Sequence, residues 1–180
     1  MLPNSRSVAD FPEHLDTGRH RDRPDRVELI ARRVVMALLV VLAVVALLGL
    51  FGQSPRVSTA AAERAALEVS APARLRGGLF FQARFTIRAQ EAIENATLVL
   101  SPGWMEGMHI NTIEPAPTEE TSRDGDLALS FGPLAPGDEL VLYMQFQVNP
   151  TNVGHRSADV ALYDGDELLA EVDRTITVFP

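Results

Sequence analysis

Hydrophobic and polar positions follow two different periods along this chain, and the change between them divides it. From Val34 to Phe51 the sequence reads VVMALLVVLAVVALLGLF, without one charged or polar side chain. Eighteen helical residues span about 27 Å, close to the hydrocarbon thickness of a bilayer. Each Leu, Val and Phe favours insertion by about 0.3 to 0.6 kcal/mol, and nothing polar opposes them. A buried core helix would show a polar stripe at helical spacing, and there is none. In lipid the backbone must satisfy its own hydrogen bonds, so a lone span is helical despite its Val content. Gln53-Ser54-Pro55 ends it, because Pro cannot continue the ladder.

Past Pro55 the period becomes two. Phe81, Ala83, Phe85 and Ile87 alternate with Gln82, Arg84, Thr86 and Arg88 after a Gly77-Gly78 turn, which predicts a half-buried strand. Leu140, Leu142, Met144, Phe146 and Val148 share one face of a second; Val141, Tyr143, Gln145 and Gln147 share the other. Val160 and Leu162 are expected to answer Leu168, Ala170, Val172, Ile176 and Val178 across Asp164-Gly165-Asp166, a strong hairpin signal. Shorter candidates are Ala66–Ser70, Thr97–Leu100, Met108–Ile113 and Leu127–Phe131, with a weak strand at Val57–Ala62. Seven or eight strands with no helix between them predict an all-β, immunoglobulin-like antiparallel β-sandwich, tethered by one N-terminal transmembrane helix. Strand order is left open.

These elements divide the chain into four parts. Residues 1–23 are polar, Pro-containing and of mixed charge, and are expected to form a disordered cytoplasmic tail. Residues 24–52 form a juxtamembrane and transmembrane helix, with Val27, Leu29 and Ile30 extending its apolar side. Residues 53–65 are a spacer or a weak first strand, and 66–180 the extracytoplasmic sandwich.

Orientation follows from Arg26, Arg32 and Arg33 on the N-terminal flank, the topology determinants; beyond the run the first charge is Arg56. The positive-inside bias places the N-terminus in the cytoplasm and the sandwich outside the cell membrane. The rival is a cleaved signal peptide, for which Ser58–Ala62 supplies small residues. Secretory apolar cores usually run about 7 to 15 residues behind a short basic segment, so an uncleaved signal anchor fits better. No Cys occurs, which removes a lipoprotein anchor, a disulfide framework and thiol catalysis.

Charge changes the picture further. All sixteen cationic residues are Arg; seven of them, with six of the 24 acids, precede the apolar run. Nine Arg against eighteen acids remain beyond it, about −9, which argues against nucleic-acid binding and against adhesion to anionic headgroups.

Candidate chemistry is sparse. Glu106-x-x-His109 has the spacing used by carboxylate-bridged metal bundles, but such sites need facing helices. Asp124-Gly125-Asp126, Asp138-Glu139 and Asp164-Gly165-Asp166-Glu167 could offer oxygens to Ca²⁺, yet they miss the EF-hand pattern and supply what tight turns demand. There is no G-x-S-x-G or H-E-x-x-H, so neither an enzyme nor a cofactor is expected. The stretch Pro102–Ile110 holds the only Trp and two Met between glycines. Trp104, Met105, Met108 and His109 are therefore the candidate partner interface, with plugging of the sandwich end as the alternative for Trp104 and Met108.

The segment from Phe131 to Phe179 sets a Leu134-x-Pro136-Gly137 turn before a strong strand, then a Pro and Gly loop and a closing hairpin. This pattern resembles CARDB-type immunoglobulin-like modules found outside bacterial membranes, and the whole chain resembles small single-pass proteins of high-G+C bacteria. The resemblance implies a noncatalytic adhesion, spacer or assembly unit. The expected function is to bind or stabilise another membrane or envelope protein, the alternative being an envelope glycan- or ion-binding module, and a hydrolytic enzyme the remotest.

Overall fold

The computed structural model describes residues 26–48 and 53–180, which belong to two units, one ending at Leu48 and one beginning at Gly49. The expected tail, residues 1–23, and the end of the apolar run lie outside the described residues. In the first unit α1 (Arg26–Leu47) is 22 residues long, and none of its residues is buried. Glu28 sits in its first turn, where a carboxylate complements the helix dipole, and pairs with Arg32 one turn on at 3.6 Å. By length and composition α1 could cross a membrane, a criterion that a signal sequence also meets.

The second unit is built of strands. One five-stranded sheet has the order β1 (Pro55–Ala61), β2 (Ala65–Pro72), β4 (Phe80–Ala89), β9 (Glu139–Val148), β6 (Met108–Glu114). The other runs β12 (Glu167–Val172), β11 (Val160–Asp164), β5 (Ala96–Leu100), β8 (Asp126–Ser130), β7 (Glu119–Arg123). Both are antiparallel throughout. A third, three-stranded sheet joins β10 (Gly154–Ser157), β13 (Thr175–Phe179) and β3 (Arg74–Arg76), with β13 and β3 parallel.

Alternation explains why the two large sheets pack face to face. In β4, Phe81, Ala83, Phe85 and Ile87 point inward; in β9, Leu142, Met144, Phe146 and Val148 do, and the register sets Phe85 opposite Leu142. They meet Leu98 and Leu100 of β5, Leu129 of β8 and Leu162 of β11 in one buried cluster. Phe81 stacks on Phe146 with ring centroids 5.0 Å apart. This is the expected all-β, immunoglobulin-like sandwich.

Three expectations change in detail. Thirteen strands replace seven or eight, because β3, β7 and β10 are three to five residues long and mostly exposed, so they carry no readable period. The closing hairpin turns at Gly165 as expected, but a bulge between Leu162 and Tyr163 shifts the register. Leu169 is therefore buried and Leu168 exposed, the reverse of simple alternation. Ile176 and Val178 leave that hairpin altogether and belong to β13, in the small sheet. The weak strand expected at Val57–Ala62 runs instead from Pro55 to Ala61 and pairs with β2 over seven residues.

Candidate functional site

The segment from Ser101 to Gly107 links β5 to β6. Pro102–Trp104 forms one 3-10 turn, in which the Trp104 N–H donates to Ser101 O at 3.1 Å and the Met105 N–H to Pro102 O at 2.9 Å. The turn drops the indole into the end of the core. Trp104 is fully buried, 5.4 Å from Phe85 and 5.3 Å from Phe146 between ring centroids, and its Nε1 donates to Ala158 O at 3.0 Å. Gly103 permits this approach, since a Cβ there would lie 1.7 Å from Ser157 O. Gly107 has φ +69, and the Asn152 side chain fills the space a Cβ would need.

A polar clamp holds the far side of this loop. Buried Asn152 donates through Nδ2 to Glu106 O and Gly107 O, and its Oδ1 accepts from Nε and Nη2 of Arg156. Arg156 Nη1 in turn reaches Glu106 Oε2 at 2.9 Å. Of the four candidate interface residues, Trp104 and Met108 are thus core residues with no surface to offer. Met105 is half-buried, and His109 is exposed on β6 opposite Gln147. The Glu106 carboxylate is committed to Arg156, so it forms no ligand pair with His109. Arg26, Arg32 and Arg33 lie along the exposed first turns of α1.

The Asp164–Glu167 turn sits at the other end of the strands. There Arg64, in the β1–β2 turn, gathers the carboxylates: Nη1 to Glu167 Oε2 at 2.6 Å, Nη2 to Asp164 Oδ2 at 2.9 Å, and Nε 3.4 Å from Glu91. The other Asp164 oxygen accepts the N–H groups of Glu94 and Asn95, both at 3.0 Å. An open cleft of about 440 Å³ lies over this cluster. Its positive centre neutralises the oxygens that a cation would require. Asp138 caps its own turn by accepting the Ala135 N–H, and Asp124 takes a left-handed turn conformation. Among the described residues no group of three or more His, Cys, Asp or Glu is arranged to hold a metal ion.

Burial alone would raise the Asp164 pKa, but the Asn95 N–H, Arg64 and the Glu94 N–H outweigh it and hold the carboxyl below its usual range. A carboxylate depressed in the folded state adds stability above its unfolded pKa, about 3.9, and loses it as pH falls through the lower folded value. The stability gap between the wild type and Asp164→Asn is therefore expected to be full at neutral pH and to close below about pH 4. Urea midpoints across that range measure it, and a gap constant down to pH 3 would rule the linkage out.

Sequence reasoning missed Arg174, at the corner between β12 and β13. It is buried, and its Nη1 donates to Val69 O at 2.8 Å and Arg56 O at 3.2 Å, its Nη2 to Ala71 O at 2.7 Å. Its backbone N–H donates to Asp159 Oδ1, and the Ser157 hydroxyl donates to the other oxygen of that carboxylate, Oδ2. Burial, then the charge of Arg56, push its pKa below the usual arginine value. No sequence signal marks it, since Asp173-Arg174 reads as an ordinary polar turn.

No family model and no curated protein matches this chain. Among solved structures it is similar to a CARDB domain from Pyrococcus furiosus, with 10% identity and a TM-score of 0.40 over 70% of this chain and 96% of that one. A second likeness is to CaCohA2 from Clostridium acetobutylicum, at 12% identity and a TM-score of 0.39, over 58% of this chain and 86% of that one. A third is to a non-cellulosomal cohesin from Archaeoglobus fulgidus, at 15% identity and a TM-score of 0.35, over 59% and 86% respectively.

Proposed function

We propose that this chain is a single-pass membrane protein with its N-terminus in the cytoplasm, whose sandwich stands outside and binds or stabilises another membrane or envelope protein without catalysis. One observation carries the reading. Helix α1 buries none of its side chains, and its apolar stretch begins directly behind Arg32-Arg33. A helix that buries nothing in water leaves its apolar surface unpaid unless lipid or another protein covers it.

Two features of the sandwich favour binding over chemistry. Its only Trp and three of its six Phe are spent on the core, and the charged groups nearest a cleft, Arg64 with Asp164 and Glu167, neutralise one another. The edge strand β7 meanwhile leaves one side of its backbone without a strand partner, a surface on which another chain can add.

Reporter fusions at both ends of the full chain test the topology. A reporter active only outside the cytoplasm is expected to work at the C-terminus and to fail at the N-terminus; activity at the N-terminus would end the orientation. Recovery of a shortened, secreted chain would establish a signal peptide instead. A mild-detergent pull-down of the intact protein is expected to bring down a membrane or envelope protein in stoichiometric amount. A clean monomer stabilised by a glycan or an ion would move the reading to ligand binding.

A further inference from the structure

Nine Arg lie in residues 53–180, and most are accounted for within the fold. Arg64, Arg84, Arg88, Arg123 and Arg156 each face a carboxylate. Arg174 is buried on backbone carbonyls. Arg56, Arg74 and Arg76 remain, all exposed, and no ion pair joins them to a carboxylate among the described residues.

The strand register brings these three to one end of the sandwich. Arg56 pairs in register with Ala71, at the close of β2, and β3 follows immediately with Arg74 and Arg76. Arg76 lies opposite Phe179 in the small sheet. Exposed apolar side chains gather beside them: Leu79, Phe80 (62% exposed), Val153 and Phe179. Backbone bonds hold that set together, from the Gly77 N–H to Phe179 O at 2.9 Å and from the Gly78 N–H to Val148 O at 3.0 Å. Val153 directly precedes Gly154, which pairs with Val178.

Glu91, Glu94, Asp138, Asp164 and Glu167 gather at the opposite end of the same strands, while Glu106, paired with Arg156, and Asp159 and Asp173, beside Arg174, stay near the Arg end. β4 starts at Phe80 and ends at Ala89, beside the loops that carry Glu91, Glu94 and Asp138. The turns bearing Asp164 and Glu167 adjoin them through Arg64. The charge of about −9 is therefore an average over two unlike ends. One end presents free guanidinium groups among aromatic and aliphatic side chains; the other is acidic.

We propose that the Arg56–Arg74–Arg76 end docks on an anionic lipid surface, with Phe80, Val153 and Phe179 in the interfacial layer. Guanidinium groups are drawn to anionic headgroups, and aromatic rings favour the interface beneath them. The acidic end, repelled by the same surface, would then face away and stay open to a partner. Continuity of the chain supports the choice of lipid over a protein: the apolar run stops at Phe51, and five residues on, Arg56 can lie no farther than about 18 Å from it. The inference rests on reading Val34–Phe51 as a membrane anchor.

The absence of Cys makes the test direct. The full chain carrying Val153→Cys or Glu94→Cys, one at each end, is labelled with an environment-sensitive fluorophore and reconstituted in phosphatidylcholine–phosphatidylglycerol vesicles. A lipid spin-labelled at the headgroup is expected to quench the probe at position 153 several-fold more than at 94. The ratio should fall toward one in pure phosphatidylcholine, at high salt, or in the Arg74→Glu/Arg76→Glu variant, whose melting temperature should be unchanged because both side chains are exposed and unpaired. Equal quenching at the two positions, or a ratio indifferent to charge reversal, would overturn the docking surface. So would cross-linking between Val153→Cys copies without lipid quenching, which would make a second copy the occupant. Retention through alkaline carbonate extraction reports the anchor separately. If the chain is released, the anchor reading fails, and the quenching ratio before extraction decides the surface on its own.

Discussion

Replacing Trp104 by Ala is expected to cost the sandwich about 3 to 5 kcal/mol, the range for deleting a fully buried large aromatic side chain. The expectation follows from what the indole touches. It has no exposed surface, it lies within 5.4 Å of Phe85 and 5.3 Å of Phe146, and its Nε1 satisfies Ala158 O. The Ala variant leaves a cavity between the two large sheets and an unpaired carbonyl at its edge. The site can scarcely collapse, because Gly103 is already in contact with β10 and Asn152 pins the loop to Glu106 and Gly107. Melting temperature should drop by about 10 °C or more, and the urea midpoint should fall with its slope retained. Trp104→Phe should lose less, since a ring still fills most of the space. An unchanged midpoint combined with loss of a pulled-down partner would return Trp104 to the surface role that its composition suggested.

Trp104 also shows where the sequence stopped being informative. A lone Trp beside two Met and two Gly has the composition of an interface and of a plug alike. Only the arrival of Phe85 and Phe146 from distant strands, and of Ala158 from the link between β10 and β11, decides between them. β4 and β9 were legible residue by residue, because each lies with one face on the core and one in water, so burial imposes a period of two on their side chains. β7 could not be read that way: Glu119-Glu120-Thr121-Ser122-Arg123 has no buried side chain, and its place in the sheet comes from pairing with β8. The hairpin of β11 and β12 was legible to the turn and illegible past it, because a bulge needs two residues opposite one and leaves no compositional mark. Net charge hides the arrangement of charges for a related reason. A sum over the domain cannot tell three unpaired Arg at one end from a ring of carboxylates at the other, and the separation arises from strand order.

Substituting Arg174 by Met should destabilise the sandwich by about 3 kcal/mol, less than the sum of the bonds it makes. Three carbonyls, from Arg56, Val69 and Ala71, now accept from its guanidinium, and hydrogen bonds to a charged group contribute about 1.5 to 3 kcal/mol each. Against that stands the cost of holding a cation out of water with another Arg nearby and, among the described residues, no carboxylate on its guanidinium, a cost the Met variant is spared. The two terms oppose, and the carbonyls decide the sign, because Met leaves them buried without a donor. Arg174→Lys keeps the charge but not the fork that reaches β1 and β2 together, so it should recover only part of the loss. A purely volumetric role would make Met nearly neutral and Lys the worse of the two. The bond to Arg56 O gives a second, local readout. Arg174 ties β1 to the β12–β13 corner, so amide exchange in Pro55–Ala61 should quicken in both variants before the rest of the sandwich opens. Equal exchange across all strands would place Arg174 in the global core and deny it the task of fastening the first strand.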